Sequence, residues 1–379
     1  MTIANRQSQV CKLLRSLYGL RQAGYNWNAE LHGFLSSCGF VRSAIDPSLY
    51  HLKRRDGSVV TVYVDDLIIL ATSAKAMEAF IASLTTRYTI KVTELNVYLS
   101  QRIHWSEIDG IRAVSIDQSA YLARILQQGG LHEANKSMNP TVRPGYDTND
   151  VSKKMVDTEA HRRTVGQLLW VQRTARPDIS FPMLKACASI AHPSSKDAAA
   201  VKKMLRYLNG TVEQKLQIFA GGELVAYVDS DWAADEVDRR SVSGYVIGFL
   251  RDDNRFSPMI WRSKKQTCVA TSTCEAEYVA CHEVCREISF VRSMMMEVGW
   301  MDHKAPATVV FCDNLAAVNI GNDIVSSTKR ARYIDIRYHY ARWCAREGVV
   351  RFEWIASKDN LADIFTESLK TDVFARHAR

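Results

Sequence analysis

Four acidic residues in four separate segments are the part of this sequence best suited to chemistry. Ala226-Tyr227-Val228-Asp229-Ser230-Asp231-Trp232 delivers Asp229 at the end of an apolar run, and Glu277 lies in Thr273-Cys274-Glu275-Ala276-Glu277-Tyr278. Asp313 follows Val309-Val310-Phe311-Cys312, and Asp363 sits in Leu361-Ala362-Asp363-Ile364-Phe365. If the four carboxylates converge, their repulsion is unfavourable unless divalent cations neutralise it. That chemistry is phosphodiester hydrolysis by two metal ions, which sit about 3.5 to 4 Å apart and clamp the attacking and leaving oxygens. A second acidic pair, Asp65 and Asp66, lies between apolar runs in Tyr63-Val64-Asp65-Asp66-Leu67. Two adjacent acids at the tip of a buried apolar hairpin also call for a cation.

The elements that must position these residues follow from periodicity. Residues 224–228, 242–249 and 258–261 predict three consecutive strands, and a long helix is expected over 272–298. A fourth strand over 308–312, a short helix from 315, a helix over 334–346, a strand over 349–355 and a closing helix containing Asp363 complete the pattern. In the long helix Glu277 shares a face with Cys281 whereas Glu275 points elsewhere, which selects Glu277 for the site. Asp231 would face the same way as Asp229 in an extended strand, but the chain is expected to turn there. Hairpin strands followed by alternating helices and strands give an α/β (α+β) mixed sheet, as in the ribonuclease H fold.

In the front half a basic segment over 12–24 leads into a helix carrying Trp27, Leu31, Phe34 and Leu35 on one face. Strands over 48–52 and 59–63 meet through Asp56-Gly57, a hairpin signal, and Leu67 to Leu70 continues as a strand. Helices are expected over 74–88, 118–127, 158–174 and 196–208, with an exposed connection over 139–152.

A chain of 379 residues exceeds one ordinary core, so two or more domains are expected. The net charge of +8 favours a polyanionic partner, which nucleic acid and an anionic membrane surface both satisfy. No stretch approaches the ~20 apolar residues of a membrane span, and the first residues lack an apolar signal region. Nine scattered cysteines suit reduced thiols, so the expected location is intracellular, cytoplasmic or nuclear, and not secreted. Cys281 and Cys285 stand at i, i+4, compatible with a shared zinc, but no second ligand pair lies nearby and a helix face is expected.

Tyr63-Val64-Asp65-Asp66, together with Leu17-Tyr18-Gly19-Leu20-Arg21-Gln22-Ala23, resembles the reverse transcriptase of copia-type LTR retrotransposon Pol polyproteins. Later segments agree in order: Leu95-Asn96-Val97-Tyr98-Leu99, Val165-Gly166-Gln167-Leu168, Arg176-Pro177-Asp178-Ile179 and Leu205-Arg206-Tyr207-Leu208-Asn209-Gly210-Thr211. The resemblance spans essentially the whole chain. It implies a partial palm and thumb over 1–130, a helical connection over 131–220 and a ribonuclease H-like domain over 221–379.

The resemblance further implies two Mg2+ ions, with Mn2+ as the alternative, held by Asp229, Glu277, Asp313 and Asp363, and palm carboxylates at Asp65 and Asp66. The implied partners are an RNA/DNA hybrid or other nucleic acid and other Pol segments, with no membrane. Nucleic-acid contacts are expected at Arg21 and Gln22, and at Lys329, Arg330, Arg332 and Arg337, where cations alternate with aromatics over 329–343. Arg162, Arg163, Lys196, Lys202, Lys203 and Arg206 suit either a nucleic-acid backbone or a solvated helix face.

The resemblance also implies a further palm aspartate upstream of Leu17. Glu30, Asp46 and Asp56 are the only acids before Asp65, and none suits that role, so polymerase activity is not expected from this chain alone. Gly24 stands where the family usually has proline, Ser100 where it has glycine, and Tyr333 where it has histidine. The loop before Asp363 contains no histidine, which leaves proton transfer to water or Lys358.

Overall fold

The computed structural model describes residues 13, 16–53, 57–141, 157–235, 237–322 and 336–378. The chain forms two compact units: Met1–Thr93 with Phe290–Ala305, and Glu94–Ser289 with Pro306–Arg379.

In the first unit α1 (Ala23–Ser37) precedes an antiparallel sheet of β1 (Phe40–Arg42), β2 (Leu49–Leu52), β3 (Val59–Tyr63) and β4 (Asp66–Leu70), paired in that order, and α2 (Ala74–Arg87) follows. Leu31, Phe34 and Leu35, at helical spacing on α1, pack with Phe40, Tyr50, Val60, Phe80 and Leu84. Ser73 starts α2 by accepting from the Ala76 N–H. Strands β3 and β4 join through a two-residue turn, Val64-Asp65, with Tyr63 opposite Asp66. Val64 has φ 57°, a costly conformation for a β-branched residue. Its carbonyl accepts the indole N–H of Trp27 at 2.6 Å, which fixes the turn to α1. The expected turn residue Asp56 lies outside the described residues.

The second unit begins with β5 (Val97–Tyr98), β6 (Gln101–Ile108) and β7 (Ile111–Asp117), followed by α3 (Ser119–Gln128). Next come α4 (Thr158–Thr174), α5 (Ser180–Ala188), α6 (Ser195–Gly210) and β8 (Leu216–Phe219), which completes an antiparallel sheet in the order β5-β6-β7-β8. The larger sheet contains β9 (Glu223–Asp231), β10 (Val242–Leu250) and β11 (Phe256–Lys265), then, after α7 (Thr273–Val298), β12 (Thr308–Cys312). After α8 (Leu315–Gly321) and α9 (Tyr340–Arg346), β13 (Val350–Trp354) ends the sheet, and α10 (Thr371–His377) closes the fold.

Its order is β11-β10-β9-β12-β13. The first three strands are antiparallel, whereas β12 runs parallel to both β9 and β13. Central β9 is apolar and buried from Leu224 to Val228, as a strand covered on both faces requires.

The helices before β8 share a core with this sheet: Leu122, Val165, Leu168, Met183 and Leu208 pack in one cluster with Val225, Tyr227, Val246 and Phe365. A buried ion pair braces the helices. Arg176 meets Asp178 at 2.7 Å, the Tyr207 hydroxyl donates to Asp178 at 2.6 Å, and Arg176 also donates to the Thr211 carbonyl at 3.0 Å.

The structure corrects two expectations. Asp363 lies not in an α-helix but in a 3-10 segment, Leu361–Phe365, whose start is capped by Asn360 accepting from the Ala362 N–H. The same Asn360 donates to the Val228 carbonyl at 3.0 Å, tying that segment to β9 in place of a longer helix. Strand β9 continues through Asp231 rather than turning before it, because Asp231 remains paired with Val242.

Candidate active site

The seam between β9 and β12 gathers the predicted carboxylates. Val228 is level with Cys312 across this parallel pair, so Asp229, near the end of β9, and Asp313, just past the end of β12, sit side by side. On the other side Gly244 of β10 is directly opposite Asp229. A Cβ at Gly244 would lie 2.6 Å from Thr366 Cγ2 and 2.7 Å from Phe365 Cβ. The bare glycine therefore allows the segment bearing Asp363 to lie against the sheet.

Ligand atoms of Asp229, Asp313 and Asp363 lie within 4.8 Å of one another, and those of Glu277, Cys312 and Asp313 form a second such group. Asp313 belongs to both. Glu277 is 5% exposed, on the first turns of α7, where its carboxylate accepts from the Ser230 N–H at 3.2 Å. The Cys312 thiol stands 3.8 Å from the other Glu277 oxygen. Thr366 is fully buried and donates its hydroxyl to Asp229 Oδ2. The buried Oδ1 of Asp363 has no hydrogen-bond partner among the described residues.

This crowding appears in the protonation of the group. Burial pushes the Asp229 carboxyl up to about 7; the Thr366 hydroxyl opposes the shift and Asp313 adds to it. Asp363 rises to about 8, through burial and then the charges of Asp229, Asp313 and Glu367. Glu277 is raised well above the ordinary range by burial, with Cys312, Asp229 and Asp313 adding to the effect. A bound dication would reverse these costs, and an orphaned carboxylate oxygen facing further carboxylates is the donor set that a hard cation takes. The residues present therefore fit a divalent ion.

The other candidates lie elsewhere. Asp65 and Asp66 are exposed at the β3–β4 turn, not buried as expected, so no burial cost argues for a cation there. Among the described residues they join no group of three metal-ligating side chains. Arg21 and Gln22 are exposed where α1 begins. Lys329, Arg330, Arg332 and Tyr333 lie outside the described residues, and Arg337 falls in a 3-10 turn, Ile336–His339.

Glu275 accepts from the backbone and hydroxyl of Thr271, a capping role at the start of α7. Asp231, half-buried at the end of β9, is in neither ligand group. Cys281 and Cys285, both fully buried, are drawn to different partners: Cys281 neighbours Cys312, and Cys285 neighbours Cys344. That division argues against one zinc held by the Cys281/Cys285 pair. Arg162 donates to the Ile190 and Ala191 carbonyls and Arg163 pairs with Glu159, which occupies these two cations within the fold.

Sequence reasoning missed Thr366, Gly244 and Asn360, which aim the acids. Thr366 follows Asp363 by three residues and Asn360 precedes it by three. Gly244 carries no signal beyond being a glycine within a strand, a common mark of close backbone approach.

Strand order and carboxylate seam together define an α/β protein of the ribonuclease H-like class. The family described as reverse transcriptase (RNA-dependent DNA polymerase) matches residues 1–143. Over 99% of its length the chain is 31% identical to the retrovirus-related Pol polyprotein from transposon RE1 of Arabidopsis thaliana, covering 25% of that protein. Over 98% it is 28% identical to the one from transposon TNT 1-94 of Nicotiana tabacum, covering 28% of that protein. The chain belongs to the copia-type retrotransposon Pol polyproteins and spans about a quarter of the length of these full-length Pol relatives.

A putative transposon Ty5-1 protein of Saccharomyces cerevisiae is 29% identical over 74% of this chain and 90% of its own length. Two solved structures are similar at low scores. RNase H1 from Halobacterium salinarum has a TM-score of 0.26 and 15% identity, over 38% of this chain and 95% of that one. The prototype foamy virus protease-reverse transcriptase has a TM-score of 0.24 and 9% identity, over 96% of this chain and 62% of that one.

Proposed function

We propose that the second unit is a ribonuclease H that cuts the RNA strand of RNA/DNA hybrids. The observation that carries this reading is the convergence of Asp229, Asp313 and Asp363 within 4.8 Å, with Glu277 joined to them through Asp313. These four residues would hold two divalent ions, Mg2+ or alternatively Mn2+. When bound, such ions offset the carboxylate charge and stabilise the charge that develops on the phosphate being cut.

The chain's own residues keep the site in register. Thr366 holds one oxygen of Asp229 and leaves the other for a ligand. The Ser230 N–H orients Glu277, and Asn360 fixes the segment that presents Asp363. Selection of RNA would rest on A-form shape and the 2′-hydroxyl, without reading bases. Lys329, Arg330, Arg332 and Arg337, with Arg21 and Gln22, are proposed nucleic-acid contacts.

The test is cleavage of a labelled hybrid in Mg2+. The wild-type chain should cut the RNA strand. Asp313→Asn should abolish cutting while leaving the circular dichroism spectrum and unfolding temperature close to wild type. An Asp313→Asn chain as active as wild type removes the proposed role, and hybrid binding by the wild type without Mg2+-dependent cutting favours a noncatalytic nucleic-acid-binding protein.

A second reading concerns Asp65 and Asp66, which the strained Val64 turn holds exposed. They would serve RNA-directed DNA polymerisation if a partner chain supplied further carboxylates. Primer extension by this chain alone would show that no partner is needed.

A further inference from the structure

Two tryptophans flank the carboxylate seam. Trp354 is 57% exposed and Trp232 is 45% exposed, yet both indole N–H groups are used inside the fold. Trp354 Nε1 donates to the Asp313 carbonyl at 3.0 Å, and Trp232 Nε1 to the Ala270 carbonyl at 2.9 Å. A ring tethered in this way keeps one orientation and presents only its apolar surface to solvent. Trp354 ends β13 level with Cys312, the residue before Asp313. Trp232 follows β9 directly, three residues past Asp229. Both rings thus stand at the carboxyl-terminal edge of β9, β12 and β13, the edge at which open α/β sheets take their ligands.

Electrostatics says what such rings are for. Without bound cations the acid cluster offers no positive charge to a phosphate, so metal-free affinity for a nucleic acid at this edge must draw on uncharged contacts or on cations placed elsewhere. An aromatic face supplies the uncharged kind, by stacking on a base or packing on a sugar, and it tolerates any sequence. We infer that Trp354 and Trp232 are stacking contacts that hold the nucleic-acid strand across the carboxylate cluster. This inference rests on the nuclease reading of the same site.

The experiment measures binding without cleavage: anisotropy of a labelled RNA/DNA hybrid with the full chain in EDTA, over a series of salt concentrations. Trp354→Ala and Trp232→Ala should each weaken binding by about 5- to 150-fold, the range that loss of one stacked ring spans. The slope of log K against log salt should stay at the wild-type value, because stacking releases no counterions. Trp354→Phe and Trp232→Phe, which keep a ring, should bind within about threefold of wild type by the same stacking argument. Trp354→Phe lacks the bond to the Asp313 carbonyl, so its behaviour separates ring contact from support of Asp313.

Three results overturn the inference: Ala variants that bind as tightly as wild type, as they would if the rings met a protein partner instead; Phe variants as weak as Ala; or a changed salt slope. Cleavage in Mg2+ is read separately. A wild-type chain that binds but does not cut refutes the nuclease reading, and the Ala variants still decide the stacking one.

Discussion

Thr366 shows how much of the site depends on a single hydroxyl. Its bond to Asp229 Oδ2 opposes the rise that burial imposes on that carboxyl and sets which oxygen remains available. Thr366→Val keeps the shape and removes the donor, leaving a buried carboxylate oxygen unsatisfied at a cost of about 1 to 3 kcal/mol. The expected result is roughly tenfold weaker Mn2+ binding by calorimetry, which matches a loss of about 1.4 kcal/mol. Thr366→Ser should restore it. Equal binding by the Val variant would leave Thr366 with a packing role only.

At the same scale, Asp229 and Asp313 were legible because an acid ending an apolar strand is conspicuous, and Glu277 because helix periodicity separates it from Glu275. Thr366 was not, since a small polar residue obeys no period and its partner is 137 residues away in sequence.

Among elements, those with strong apolar periodicity were read closely. The helix expected over 158–174 is found at Thr158–Thr174, and the strand expected over 308–312 at Thr308–Cys312. The hairpin of β6 and β7 was missed. Gln101–Ile108 is mostly polar and none of it is fully buried, so no alternation marks it as a strand. Asp363 was assigned to the right place but the wrong element, because the Asn360 cap and its bond to β9 are tertiary features.

Ser100 is a case where sequence and element explain each other. Leu99 and Ser100 form the two-residue turn between β5 and β6, with φ 47° and 65°, a geometry that favours glycine at the second position. The glycine usual in the family fits this turn without strain. Ser100→Gly should therefore stabilise the second unit by about 1 kcal/mol, measured by urea unfolding, since the left-handed conformation costs L-residues about that much. A destabilised glycine variant would show that the serine side chain makes a compensating contact.

For the molecule as a whole, the clustered acids couple stability to pH and to cations. Asp229 at about 7, Asp363 at about 8 and the raised Glu277 all hold protons more tightly in the folded than in the unfolded chain. Their contribution is fully present below the ordinary carboxylate range and is lost as pH rises through about 7 to 8. The unfolding temperature of the metal-free protein should accordingly fall between about pH 5 and pH 8, apart from changes elsewhere in the chain. Mg2+ should recover it most at the alkaline end, by about 2.7 kcal/mol at a hundredfold excess over Kd. Asp229→Ala and Asp363→Ala should flatten both trends. A metal-free protein that gains stability over this interval, or a Mg2+ effect largest in acid, would contradict the sign.

The fold class was readable at this scale because the order of strands and helices was. The shared core between the helices over 158–210 and the mixed sheet was not, since it consists of contacts that no local pattern announces.

That one cation-binding centre joins β9, α7, β12 and the segment around Asp363 is tested most directly by anomalous scattering from crystals soaked in Mn2+. A peak bounded by the carboxylates of Asp229, Asp313 and Asp363 is expected, and it should be lost in Asp313→Asn crystals. Mn2+ peaks confined to other parts of the surface, with these carboxylates bare, would contradict it.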